Sequence, residues 1–188
     1  MTLYHPDLKL KNFVKVYDNV LDLDVCKNII EKVNYSEFER AEVVSSERNG
    51  ERIKSENRNC YNKALDREFE KVMFDAIGKT LSLYEKDFPA FAMGAQAMDT
   101  GYVHLLYKGS EGGTYKTHID SFEQEPRLVS LSILLNDNFD GGNFCFFDEY
   151  VIEKKVGSAL VFPSCFMFPH GVQPVSNGDR HSIVTWLR

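Results

Sequence analysis

Apolar residues recur at helical spacing twice in the first hundred positions. In "DLDVCKNIIEKV", Val25, Cys26, Ile29, Ile30 and Val33 fall three and four apart behind aspartates suited to a helix start. In "ALDREFEKVMFDAIGKTLSLYEKDF", Leu65, Phe69, Val72, Met73, Ile77, Leu81 and Tyr84 repeat the pattern. Each stretch predicts an amphipathic helix burying one face. Between them, "SSERNGERIKSENRN" (45–59) is polar, carries a glycine and has almost no large apolar residue, which predicts a surface loop. Such a loop is a connection or, beside a site, a lid.

From residue 101 onward the texture changes to short β-rich runs separated by Gly, Asn, Asp and Pro: "YVHLLY", "TYKTHI", "RLVSLSILL", "NFCFF", "YVIEKK", "SALVF", "GVQPV" and "HSIVTWLR". Eight short strands at close spacing suggest a double-sheet architecture, and the jelly roll is the eight-stranded solution that leaves few exposed edges. The predicted class is mainly β with N-terminal helices around a jelly-roll core, the helices covering the apolar outer face of one sheet.

A length of 188 residues suits one domain, with 1–100 as mainly helical support and 101–188 as the core. A 43% hydrophobic and 27% charged composition argues against disorder. The formal charge of −6 with scattered lysines and arginines offers no basic stripe, so nucleic acid is a poor partner. No apolar run approaches membrane-spanning length, and "MTLYHPDLKLKNF" lacks the order of a secretory signal. The expectation is a cytoplasmic protein, monomeric or homodimeric. Cys26, Cys60, Cys145 and Cys165 form no C-x-x-C pair and read as free, buried thiols.

One strand departs from its pattern. In "TYKTHIDSF", His118 and Asp120 alternate onto the same face, where apolar residues would be expected. Alone, the pair reads equally as a solvated strand face. A second histidine, His170 in "FPHGVQPV", opens the seventh predicted strand, where a jelly roll can bring it across from the second. Two histidines and one carboxylate bind one face of an octahedral Fe(II) and leave three positions open. Arg180 follows, with Ser182 on the same strand face; a guanidinium fork and a hydroxyl suit the far end of a dicarboxylic acid. The alternatives are a loop histidine and a strand-edge arginine. His104 and His181 read as non-ligands, and Trp186 and Phe162 as core aromatics.

Together, "YKGSEGGTYKTHID", "LNDNFDGGNFCFF", "VGSALVFPS", "PHGVQPV" and "GDRHSIVTW" resemble the Fe(II)/2-oxoglutarate-dependent dioxygenases of the prolyl 4-hydroxylase-like group, over roughly residues 100 to 188. The resemblance implies a double-stranded β-helix, with His118, Asp120 and His170 as iron ligands. It makes Arg180 the partner of the distal 2-oxoglutarate carboxylate, with Tyr107 and Ser182 beside it. It implies dioxygen as cosubstrate, succinate and CO2 as co-products, and ascorbate as reductant. Asp120 occupies the place that halogenating relatives leave open, which favours hydroxylation. Gly141 and Gly142 match a hairpin turn needing positive φ. Leu134 departs from the pattern, standing where some prolyl hydroxylases carry a cosubstrate-contacting tyrosine.

The expected substrate is a prolyl residue in a peptide or protein. The alternatives are a hydroxylase of a free amino acid or other small molecule, a cupin-type iron enzyme that uses no 2-oxoglutarate, and a binding module. A nucleic-acid demethylase usually carries a second arginine where this chain has Trp186.

Overall fold

The computed structural model describes residues 9–45, 50–94 and 98–188. Positions 46–49 of the expected 45–59 loop lie outside them. The described strands are β1 (Lys15–Tyr17), β2 (Glu39–Arg40), β3 (Val43–Ser45), β4 (Glu51–Ile53), β5 (Arg58–Asn59), β6 (Tyr61–Ala64), β7 (Val103–Lys108) and β8 (Thr114–His118), followed by β9 (Val129–Leu134), β10 (Asp140–Gly141), β11 (Phe144–Phe146), β12 (Tyr150–Val151), β13 (Ala159–Pro163), β14 (His170–Val172), β15 (Val175–Asn177) and β16 (Asp179–Leu187). The helices are α1 (Leu23–Lys32), α2 (Arg67–Asp87) and the short α3 (Pro89–Gly94).

Both expected helices form where their periodicity places them. Asp22 and Asp66 are the N-cap residues, and Asp24, Glu68 and Glu70 sit in the first turns, where the helix dipole favours acid. Helix α2 stops at Phe88, ahead of Pro89, because the residue before a proline is pushed out of the helical region.

The described strands build two large antiparallel sheets and two two-stranded ones, β10-β15 and β3-β4. The major sheet runs β1-β13-β9-β16-β7-β6-β2 and the minor sheet β12-β11-β14-β8-β5. Strand alternation divides the core into two layers. Val129, Leu131 and Ile133 of β9 and Ile183 and Leu187 of β16 pack against Cys26 and Ile29 of α1 and Phe69, Met73 and Ile77 of α2. On the other face of the sheet, Leu105 and Tyr107 of β7 and Val184 of β16 pack with Val172 of β14 and, at its margin, Phe144 and Tyr115 of the minor sheet. The helices thus cover the outside of a jelly roll, although residues 103–187 hold ten described strands where eight are predicted, β10 being extra and "GVQPV" dividing into β14 and β15.

Two features differ from the sequence reading. The first hundred residues are not only helical: β1 pairs with β13, β6 with β7, β2 with β6, and β5 with β8. These strands are two to four residues long and mix polar with apolar positions, so no alternation announces them. The polar stretch 45–59 likewise contains β4, hairpinned on β3, and β5 at the edge of the minor sheet. Edge strands are held by backbone bonds and tolerate charged side chains, which is why the stretch reads as a loop.

Gly141 and Gly142 have the expected positive φ, 68° and 61°, but in a bulged pairing of β10 with β15 instead of a hairpin turn. A Cβ at Gly141 would lie 2.2 Å from the Pro174 carbonyl, so close backbone packing as well as φ selects glycine there. Cys26, Cys60 and Cys145 are buried, Cys165 is half-buried, and all are free thiols. No helix among the described residues is long and apolar enough to cross a membrane.

Candidate metal centre

His118 is the last residue of β8 and Asp120 lies in the turn beyond it, so the pair shares a site without sharing a strand. His170 opens β14 directly opposite His118. The next registered pair is Val172 with Tyr115, so β8 carries one residue more than β14 over this interval. That bulge turns Tyr115 and His118, three apart, toward the same interior. Gly171 makes the close pairing possible, since a Cβ there would stand 2.7 Å from the Tyr115 carbonyl.

Ligand atoms of His118, Asp120 and His170 all lie within 4.8 Å of one another. Nε2 of His118 is 3.6 Å from Asp120 Oδ1, and Nε2 of His170 is 3.5 Å from Oδ2. Each histidine donates its Nδ1–H to a carbonyl two residues back, Lys116 at 2.9 Å and Phe168 at 3.0 Å. Those bonds orient the rings and leave both Nε2 atoms on the side of the carboxylate, free to ligate a cation. Asp120 is itself held: Ser130 Oγ donates to Oδ2 at 2.6 Å and the Trp186 indole N–H at 3.0 Å.

Burial alone would raise the Asp120 pKa, yet the two imidazoles and the Ser130 hydroxyl hold it well below the usual carboxylate range. Burial pushes His170 down to about 4, with Asp120 acting in the opposite direction. Asp120 is therefore ionised and His170 neutral near pH 7, the protonation states a divalent cation needs. The ring of Phe144 stacks on His170 at 5.2 Å, and Phe162 meets it edge-on at 4.6 Å. Tyr115 stacks on His118 at 3.5 Å. The triad opens onto a cavity of about 240 Å³, lined also by Tyr107, Ser132 and Trp186.

Arg180 is 4% exposed. Its Nη1 donates to Ser182 Oγ at 2.8 Å, and its guanidinium lies 5.2 Å over the Tyr107 ring. Its Nε has no acceptor, and no carboxylate among the described residues pairs with it. It does not line the triad's cavity. It lines a smaller one of about 40 Å³ behind it, with Leu134, and Ser132 and Phe144 are common to both. Ser182 is fully buried and touches Arg180, so it orients the guanidinium.

The side chains fit the groups the sequence suggested. Two imidazoles and one carboxylate are the donor set of a non-haem Fe(II) site. A buried guanidinium with an idle donor is matched to an anion.

His104 and His181 lie elsewhere, with His104 Nε2 3.0 Å from His181 Nδ1 in a buried pair on another face of β7 and β16. Four contributors escaped the sequence reading. Trp186 and Ser130 hold Asp120. Arg127 lies 3.9 Å over the Trp186 ring and donates Nη1 to the Asp120 carbonyl at 3.2 Å. Arg58 lies 4.7 Å over Tyr115. The pattern could have flagged only Arg127, a charge at the start of an apolar strand.

Comparison with known proteins agrees with this geometry. A family model described as the 2OG-Fe(II) oxygenase superfamily matches residues 103–188. A PKHD-type hydroxylase of Psychrobacter sp. (strain PRwf-1) is 33% identical over 78 residues, 39% of this chain and 29% of that protein. Prolyl 3-hydroxylase 1 of Homo sapiens is 36% identical over 67 residues, 32% of this chain and 9% of that one. The chain therefore spans under a third of either relative's length. In fold, it is similar to a prolyl hydroxylase from Trichoplax adhaerens, solved with a peptide fragment of the hypoxia inducible factor oxygen degradation domain. That match has a TM-score of 0.73 and 21% identity, and covers 94% of this chain and 83% of that one.

Proposed function

We propose that this chain, whose residues 103–188 match the family model described as the 2OG-Fe(II) oxygenase superfamily, is a 2-oxoglutarate-dependent dioxygenase hydroxylating a prolyl residue in a peptide or protein. One observation carries the reading: a His118–Asp120–His170 cluster stands one cavity wall away from a buried arginine, Arg180, that has no carboxylate partner among the described residues.

His118 and His170 would hold Fe(II) through Nε2, and Asp120 through a carboxylate oxygen. With iron, 2-oxoglutarate and dioxygen bound, that centre supplies oxidative decarboxylation to succinate and CO2 and the oxidation of the C–H bond. The chain's own work is positioning and exclusion of water. Arg180, steadied by Ser182, would bind the distal carboxylate of 2-oxoglutarate, with Tyr107 against its flank. Burial raises the Tyr107 pKa, so its phenol stays neutral and can donate a hydrogen bond. Phe144 and Phe162 keep the His170 side dry, which strengthens each polar contact there. The prolyl substrate is supported by the names of the human and Trichoplax proteins.

The test begins without oxygen. Fe(II) and 2-oxoglutarate added to the chain should give the weak visible charge-transfer band of the chelate, absent in His118→Ala and weakened in Arg180→Ala. Aerobic turnover of proline-rich peptides with ascorbate should then add one oxygen by mass spectrometry. No band with the unmodified chain would overturn the proposal.

A further inference from the structure

Two inward-facing guanidiniums have no carboxylate partner among the described residues, and the cosubstrate accounts for only one of them. Arg58 opens β5 opposite Tyr115 of β8. Its guanidinium lies 4.7 Å over the Tyr115 ring, and that ring stacks at 3.5 Å and 17° on His118. Its Nη1 donates to the Glu42 carbonyl at 2.8 Å, while its Nε is buried with no acceptor. Arg58 lines the same cavity as the triad.

The other arginines of that cavity are neutralised. Arg52 pairs with Glu125, and Arg127 donates to Glu125 at 2.7 Å and stands 3.9 Å from Asp120 Oδ1. Arg58 differs: a half-buried cation one aromatic ring from a metal ligand, with a buried Nε that has no acceptor and no carboxylate partner among the described residues. The guanidinium fork is shaped for a carboxylate, and the donor left idle in the cavity is where one would bind.

We propose that Arg58 is an anion subsite for the substrate, so that the molecule oxidised at the metal carries a carboxylate near its reacting C–H bond. The carboxylate is the side chain of an acidic residue flanking the target proline, or the free α-carboxylate of an amino acid. This inference rests on the dioxygenase reading and narrows its substrate class. The stack of Arg58 on Tyr115 on His118 sets a fixed offset between the anion and the metal ligands, which selects where along the substrate the charge can lie.

The test measures binding without turnover. Trp186 is the chain's single tryptophan and lies on the cavity wall, so its fluorescence reports occupancy. The chain is loaded with Mn(II) and 2-oxoglutarate. Blocked pentapeptides with a central proline are titrated in pairs, one flanking position at a time being glutamate or glutamine, alongside free proline and prolinamide. One charged member should bind about tenfold or more tighter than its neutral twin, the scale of a charge-assisted hydrogen bond. The position of that preference identifies the source of the carboxylate. Arg58→Gln should abolish the preference, and Arg58→Lys should keep a reduced one.

Equal affinity within every pair on the unmodified chain, including no binding by any, overturns the subsite without recourse to a variant. So does an Arg58→Gln chain that loses affinity for 2-oxoglutarate while keeping the peptide preference. Failure of the dioxygenase reading looks different: no anaerobic chelate band and no added oxygen, whatever the peptide's charge.

Discussion

The indole N–H of Trp186 donates to Oδ2 of Asp120 at 3.0 Å, sharing that oxygen with the hydroxyl of Ser130 at 2.6 Å. Two donors on one oxygen fix the carboxylate's orientation and hold its charge in a buried place. Partners of this kind, one step removed from a metal, typically set affinity by about 10- to 100-fold. Trp186→Phe should therefore weaken Fe(II) or Co(II) binding by roughly that factor, read by metal titration. Thermal stability should fall less, because the ring's volume is nearly kept. Undiminished affinity would assign the indole to packing.

Gly171 is the middle residue of β14, next to His170, where a Cβ would meet the Tyr115 carbonyl of β8 at 2.7 Å. Gly171→Ala must push β14 from β8 and separate His170 from His118. Metal affinity should drop sharply, while far-ultraviolet dichroism stays that of a folded β protein. Retention of full affinity would mean that the pair of strands can shift together.

The buried pair His104 and His181 gives the fold an acid limb independent of the metal. Burial lowers His104 to about 3 and His181 to about 4. Lys63 and Arg180 add to the lowering, and Asp179 opposes it at His181. Tyr35 and Phe38 close over the pair. As pH falls below the unfolded value near 6.5, the unfolded chain takes up protons that the folded pair refuses, so stability drops toward pH 4. Urea midpoints should be lower at pH 5 than at pH 7, and the difference should shrink in His104→Phe. An equal pH dependence in that variant would place the titrating groups elsewhere.

Met73 of α2 is 0% exposed in the layer between the helices and the major sheet. Met73→Ala should cost about 2–5 kcal/mol in denaturant unfolding, the range for emptying a packed core position. Metal affinity should be unchanged, because the site lies across the sheet. A coupled loss of both would show that the helices help to set the geometry of the site.

The candidate cluster was legible through residue types that stood out in the pattern. His118 and Asp120, two apart, His170 and Arg180 are polar groups beside β-rich runs, and the structure brings the first three within 4.8 Å of one another. The helices were legible because ten and twenty-one residues give room for a period. Strands β1, β2, β5 and β6 were not, since two to four residues hold no period and their partners lie far along the chain. Trp186 and Ser130 were illegible for another reason. Each fits its strand's alternation, so pattern alone cannot separate an aromatic that fills space from one that aims a donor at Asp120. Arg58 looked like one charge among many in a polar stretch until Tyr115 and the cavity gave it surroundings.

Strand β16 comes last among the strands in chain order yet sits between β9 and β7, in the middle of the major sheet. During synthesis on the ribosome both imidazoles and Asp120 emerge first, while the seat that will receive Arg180, Ser182 and Trp186 is still a gap with two raw backbone edges. A nascent chain at that stage has no Trp186 to steady its carboxylate. The cluster's full support must wait until translation has passed Trp186, and proteolysis after residue 178 would split the sheet at its midline instead of trimming its margin.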